Sequence, residues 1–259
     1  MIETTDFNKS EQYTLSIRLS TDGFSFSVFN PLDEKGFSCE DYAINEELPL
    51  TANLKEAFAQ KAWLARPFRR VNVLVADKRF TLMPLEFFKE ELAETVFYHN
   101  HPRHNNETVL YNIRQRNNLA ILFTLDQSAH NFLRQQYPNV YFYSQASPLS
   151  DFFASKSRLG NSRKMYVHLR REAMDVFCFE YGRLMLGNCL QCSVTADRLY
   201  YLLYLWKTLG FDQERDEMHL TGYLADKEQL LPELQKFIRQ VFIMNPASNL
   251  DLQAITTCE

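Results

Sequence analysis

Four groups of residues in this sequence have types and spacings that could do chemistry. Cys189 and Cys192 form a C-x-x-C ahead of a helical run that starts near Thr195. A thiol beside a helix N-terminus has a lowered pKa, which is the setting for redox chemistry. No second C-x-x-C supplies a zinc set, and the Trp, Gly and Pro of a thioredoxin-like motif are missing, so the pair reads as structural thiols. His99, His101 and His104 offer imidazoles, the ligand zinc prefers, but without thiols or carboxylates at ligand spacing no metal site is expected. Gly182 and Gly187 have P-loop spacing, yet RLML between them reads as a strand and Asn188-Cys189 replaces Lys-Ser/Thr. The basic groups Arg66/Arg69/Arg70, Arg158/Arg163/Lys164 and Arg170/Arg171 would form a nucleic-acid stripe only if the fold gathered them; otherwise they are solvated turn charges.

Composition limits what can surround these residues. The chain has 259 residues, 46% hydrophobic and 14% aromatic, enough to bury a core in one large domain or two lobes. Its net charge of -4 argues against a surface built wholly for nucleic acid or anionic lipid. The N-terminal MIETTDFNKSEQY has no apolar core of a signal peptide, and no stretch has the roughly 18 apolar residues of a membrane span, so a cytoplasmic address is expected. Five cysteines then imply reduced thiols rather than a disulfide framework. Seven glycines in 259 residues, scattered singly, leave little from which to build phosphate loops.

The elements that must position any site occur twice. TLSIRLS, FSFSVFN and GFSCEDYAI read as a three-strand meander, with Asp22-Gly23 as its first turn. A helix over TANLKEAFAQKAWL follows, capped by Thr51 or Asn53, and then a buried strand VNVLVA. The second half repeats the order with KMYVHLR, MDVFCFEY, RLMLGNCL, a helix from Thr195 to Gly210, the strand EMHLTGYL and a helix KEQLLPELQKFIRQ. That helix, around LYYLLYLWKTL, is apolar on nearly every face and reads as buried. Between the copies lies an insert: a helix PLEFFKEELAETVFYH, strands TVLYNIR and NLAILFTL, a helix opened by Asp126, and a strand NVYFY. The expected class is α/β, with mixed sheets flanked by helices, a β-α-β insert in the first lobe, and lobes over 1–155 and 156–259.

Three passages, MDVFCFEYGRLML, VNVLVADKRFTLMPLEFFKEELAETVFYH and LTGYLADKEQLLPELQKF, resemble the actin-like ATPase superfamily, whose two lobes are ribonuclease H-like and flank a cleft. The likeness is to the branch of the pilus-assembly M, cell-division A and secretion L proteins, and implies an uncharacterised bacterial family with degenerate nucleotide motifs. Active members place D-x-G on the first hairpin of each lobe, where the carboxylate holds a metal or its water and the glycine admits phosphate. This pattern falls on Arg18-Leu19-Ser20 and on His168-Leu169-Arg170, with neither carboxylate nor glycine. Of the adenosine turn only Gly222 survives, beside Tyr223.

The resemblance therefore assigns a degenerate nucleotide cleft to Arg18, Ser20, His168, Arg170, Asp175 and Gly222. Asp22 is explained by its Asp-Gly turn. Asp175 matches the polar residue after the turn in the family. Arg18 and Arg170 either hold phosphate directly or are strand-end charges in solvent. No metal and no resident cofactor are expected, although weak ATP binding stays open. The first expectation is a non-catalytic, pseudo-ATPase protein that binds a protein partner. The alternatives are a divergent ATPase or kinase using its arginines, and a nucleic-acid-binding adaptor.

Overall fold

The computed structural model describes all residues except 1, 3–4, 22, 34–35, 226, 245–248 and 258–259, so Asp22 and Cys258 lie outside the described residues. β1 (Thr14–Ser20), β2 (Gly23–Phe29) and β3 (Phe37–Tyr42) form an antiparallel meander. α1 (Leu50–Gln60) crosses to β4 (Arg70–Ala76), parallel to β1. Next come β5 (Phe80–Pro84), α2 (Ala93–Asn100), β6 (Glu107–Arg114) and β7 (Leu119–Asp126), whose strands make a separate antiparallel sheet in the order β5-β7-β6. α3 (Gln127–Gln136), capped by the Asp126 carboxylate on the Ala129 N–H, leads to β8 (Val140–Ser144). β8 pairs parallel with β4 and completes a sheet ordered β3-β2-β1-β4-β8.

After α4 (Ala146–Ser157), β9 (Lys164–Leu169), β10 (Ala173–Glu180) and β11 (Arg183–Gln191) repeat the meander. α5 (Thr195–Thr208), β12 (Glu217–Gly222), α6 (Lys227–Gln235) and β13 (Gln240–Ile243) complete a second sheet, β11-β10-β9-β12-β13, before α7 (Leu250–Ala254). The two five-stranded sheets have the same strand order and the same pairing senses. Each buries one apolar face under helices. Leu15, Ile17, Leu19 and Val73 pack with Leu54 and Ala57 of α1 and Leu133 of α3. Met165, Val167, Leu169 and Val176 pack with Leu202 and Trp206 of α5 and Leu230 of α6.

The chain divides into two compact units, one of 1–114, 118–148 and 252–259, the other of 115–117 and 149–251. The boundary expected at 155/156 would cut α4 near its end; most of that helix belongs to the second unit, where Phe153 stacks on Tyr166 of β9. The C-terminal segment joins the first unit because Leu252 and Ile255 pack with Leu74 of β4 and Tyr143 of β8.

Several local expectations change. The insert comprises β5 to β7 with α2, whereas α3 and β8 belong to the first core sheet, since β8 hydrogen-bonds to β4. The helix expected over 84–99 starts only at Ala93, because Phe88 and Lys89 adopt extended backbone. α1 is preceded by Pro49 and uses neither Thr51 nor Asn53 as cap. Asn53 is buried and ties down the preceding loop through Asn45 and Leu48 instead. α6 ends at Gln235, short of the expected end at Gln240, and the chain returns as β13, a strand the pattern does not give. α5 buries only Arg198, Leu202 and Trp206, while Tyr200 and Tyr204 stack on each other in solvent. Among the described residues no helix is long and apolar enough to cross a membrane.

Candidate functional site

The β-strand register brings the positions of interest into two equivalent rows. In the first unit Arg18 of β1 lies opposite Ser25 of β2, and Ser25 opposite Asp41 of β3. In the second, His168 of β9 lies opposite Asp175 of β10, and Asp175 opposite Cys189 of β11. Both hairpins join residues seven apart, so Arg18 and His168 hold the same topological place, as do Ser20 and Arg170. Strand alternation turns these side chains away from the helix-packed faces, since their neighbours Leu19 and Leu169 are core residues.

The first row is a hydrogen-bonded chain. Arg18 Nη2 donates to Ser25 Oγ at 2.6 Å, Ser25 Oγ donates to Asp41 Oδ1 at 2.6 Å, and Arg18 stands 3.8 Å from Asp41. The Asp41 side chain is 82% exposed, so its charge is largely solvated. Ser20 ends β1 opposite Gly23.

The second row is buried. Asp175 accepts from Arg170 Nη2 at 3.1 Å, and His168 Nδ1 stands 3.5 Å from its other oxygen. Burial pushes the Asp175 carboxyl up, but the Arg170 guanidinium and the His168 contacts pull harder and hold it below its ordinary value. It is therefore a carboxylate at neutral pH. Arg170 Nη2 also reaches Cys189 Sγ at 2.9 Å. Burial, reinforced by the Asp175 charge, pushes the Cys189 thiol far above its usual range, which makes it a poor nucleophile. Cys189 and Cys192 are not joined in a disulfide, and Cys189 lies on β11 rather than at a helix N-terminus.

Arg198 was not foreseen. It is buried in the first turn of α5 and donates from Nη2 to the carbonyls of Arg170 at 2.7 Å and Arg171 at 2.8 Å. It thereby fixes the β9–β10 turn, in which the Arg170 N–H is spent on Ala173 O at 2.8 Å. A signal existed: Arg198 lies on one helical stripe with Leu202 and Trp206, where a lone arginine must find buried acceptors. Asp41 had no such signal, because only strand register links it to Arg18.

Gly222 closes the same edge. Its φ is +88°, and a Cβ there would lie 2.2 Å from Leu169 O. The Tyr223 N–H donates to that carbonyl at 2.7 Å, and Arg171 covers the Tyr223 ring at 5.7 Å. The glycine thus lets β12 run tight against β9. Arg18 and Arg170 are mostly buried and partnered, which corrects the reading of them as solvated strand ends. The basic clusters likewise face partners: Arg163 pairs with Asp216, Lys164 with Glu217, and Arg70 bonds Asn72 and Tyr143. In the histidine cluster, His101 Nε2 is 3.2 Å from Phe80 O and the His104 N–H donates to Glu107. Among the described residues no three His, Cys, Asp or Glu side chains gather at a metal-binding distance.

Such rows hold charge in place, with the Asp41 carboxylate open to water at the end of the first and the Asp175 carboxylate enclosed in the second. A family model described as "Protein of unknown function (DUF3822)" matches residues 2–241. A crystal structure from Bacteroides thetaiotaomicron, of a protein with actin-like ATPase fold and unknown function, is 56% identical over 99% of this chain and 100% of that one, with a TM-score of 0.94. The type IV pilus biogenesis complex PilM-PilN matches with a TM-score of 0.57 at 10% identity, over 93% of this chain and 89% of that one. The ethanolamine utilization protein EutJ from Carboxydothermus hydrogenoformans matches with a TM-score of 0.50 at 9% identity, over 94% and 88%. No curated protein matches.

Proposed function

The chain belongs to the family described as "Protein of unknown function (DUF3822)" and has an actin-like ATPase fold, and we propose that it is a non-catalytic, pseudo-ATPase member that works by binding a partner protein. One observation carries this reading. Arg18 and His168 stand at equivalent places on the first strands, where the resemblance calls for a carboxylate, and each is engaged by groups of its own sheet. The Arg18 cation repels Mg²⁺, and a guanidinium already bonded to serine or aspartate must give up that bond to take a phosphate. PilM, in its complex with PilN, is a precedent for this fold serving in an assembly.

Thermal melting with and without millimolar Mg-ATP tests it. A ligand at 100 times its dissociation constant stabilises the folded state by about 2.7 kcal/mol, a shift of several degrees. The expected result is no shift and no release of phosphate. A shift that disappears in Arg18→Ala would establish arginine-based nucleotide binding and sink the proposal.

A further inference from the structure

We infer that the segment from Leu85 to Glu94, at the start of the insert's helix, is the docking surface for a basic amphipathic helix of a partner protein. This deepens the partner-binding reading above and rests on it. In the sequence Leu85, Phe88, Leu92 and Val96 recur at helical spacing, a stripe that would normally be buried along one face. The fold buries it only in part: Phe88 and Val96 pack on the cluster of Ala93, Phe97 and Leu122, whereas Leu92 stays in water. Extended backbone at Phe88 and Lys89 breaks the helix, and α2 instead buries Ala93 and Phe97 against Leu122. Leu92 of the stripe is 48% exposed, and Phe87, which lies outside the stripe, is 64% exposed. The Phe88 ring lies 4.9 Å from that of Tyr111, a half-exposed residue on β6, an edge strand of the insert sheet, and the Tyr111 hydroxyl bonds Glu90. Large apolar groups held in water cost about 25 cal/mol per Å², which a partner's apolar face would recover.

Charge selects the occupant. The segment carries four glutamates against one lysine, and Glu86, Glu90 and Glu91 are exposed beside the apolar groups. This rim repels anionic lipid and nucleic acid, and attracts lysines or arginines flanking an apolar stripe. A helix supplies both at once, with anchors at i, i+3, i+4 and i+7.

The test titrates the full chain into two labelled peptides of leucine and lysine, one with the leucines at helical spacing and one scrambled, by fluorescence anisotropy. We expect the patterned peptide to bind at least about tenfold more tightly than the scrambled one, and to lose at least about that factor on Phe87→Ser/Leu92→Ser and on Glu86→Lys/Glu91→Lys. All four side chains are exposed, so melting temperatures should not change. Hydrogen exchange of the unsubstituted chain should show protection of residues 85–94 by the patterned peptide, a readout that needs no variant. Equal binding of the two peptides, no binding of either, or binding indifferent to Phe87 and Leu92 overturns the docking surface. Such a failure without a Mg-ATP shift leaves the partner-binding reading standing, whereas an ATP shift lost in Arg18→Ala removes that reading whatever the peptides do.

Discussion

The two core sheets share one topology and fill the equivalent places of their second faces with opposite chemistry. Where the first sheet runs Asn72–Ser16–Ser27–Cys39 across its strands, the second runs His219–Tyr166–Phe177–Gly187. Ser16, Ser27 and Asn72 are buried but small and polar. The second row is an aromatic stack, with Phe153 at 4.6 Å from Tyr166, and Tyr166 at 5.0 Å from His219. One strand step further, Arg18–Ser25–Asp41 is half open to water, while His168–Asp175–Cys189 is closed. Strand order therefore does not dictate what a sheet face does; side-chain volume and access to water decide whether a charge there is a surface feature or part of the core.

The largest expected effect comes from breaking the closed row. Asp175→Asn leaves Arg170 without its buried counter-charge and should destabilise the second unit by about 3–5 kcal/mol, whereas Asp41→Asn at the matching open row should cost less than about 1 kcal/mol. Urea titration of both variants checks the contrast, and equal losses would erase it. Because the Asp175 pKa is depressed on folding, its contribution is complete above the unfolded value of about 3.9 and is lost as pH falls through and below it. Wild type and variant should converge only in that acid range.

Next in size is the glycine. Gly222 and Val75 are equivalent, since they pair with Leu169 and Leu19 in the two sheets. Moving the valine across, as Gly222→Val, places a Cβ 2.2 Å from a carbonyl at positive φ and should cost about 3 kcal/mol or more, seen in the urea midpoint. A tolerated valine would show that the close approach is not required. For this reason bulky residues at Gly222 report on folding and cannot serve as a probe of nucleotide binding.

The smallest effect separates the aromatic row from the serine row by pH. Burial holds the His219 pKa below its usual 6.5, against the opposing pull of Glu217. A histidine with a depressed folded pKa gives stability that is complete above about pH 6.5 and is lost as pH falls through that value towards the folded pKa. His219→Phe keeps the stack with Tyr166 and Phe242 and should flatten the stability profile there, an effect smaller than the two above. An unchanged slope in the variant would assign the loss to other groups, His130 among them, whose pKa burial also lowers.

Legibility followed periodicity. The doubled meander could be read because Leu15, Ile17 and Leu19, and again Met165, Val167 and Leu169, alternate at the strand period and end in turns. The family pattern laid on both hairpins put Arg18 and His168 at matching positions, and the seven-residue offset of each pairing makes the two places equivalent. The helix over 84–99 misled because its stripe is real as a pattern and is interrupted only by the backbone at Phe88 and Lys89. β13 was hidden because Gln240–Ile243 follows a helical run without a strong break.

By itself the sequence determined the two three-strand meanders and the residue types, Arg18 and His168, at matching places on their first strands, because local patterning and residue identity are carried by the chain. Only the tertiary structure decided that Arg18 is bonded through Ser25 to Asp41, that Arg170 and His168 share Asp175, that Arg198 holds the turn between them, and that Phe87 and Leu92 remain in water. Those contacts join residues distant in the sequence or depend on burial, and burial is a property of the packed chain rather than of any segment of it.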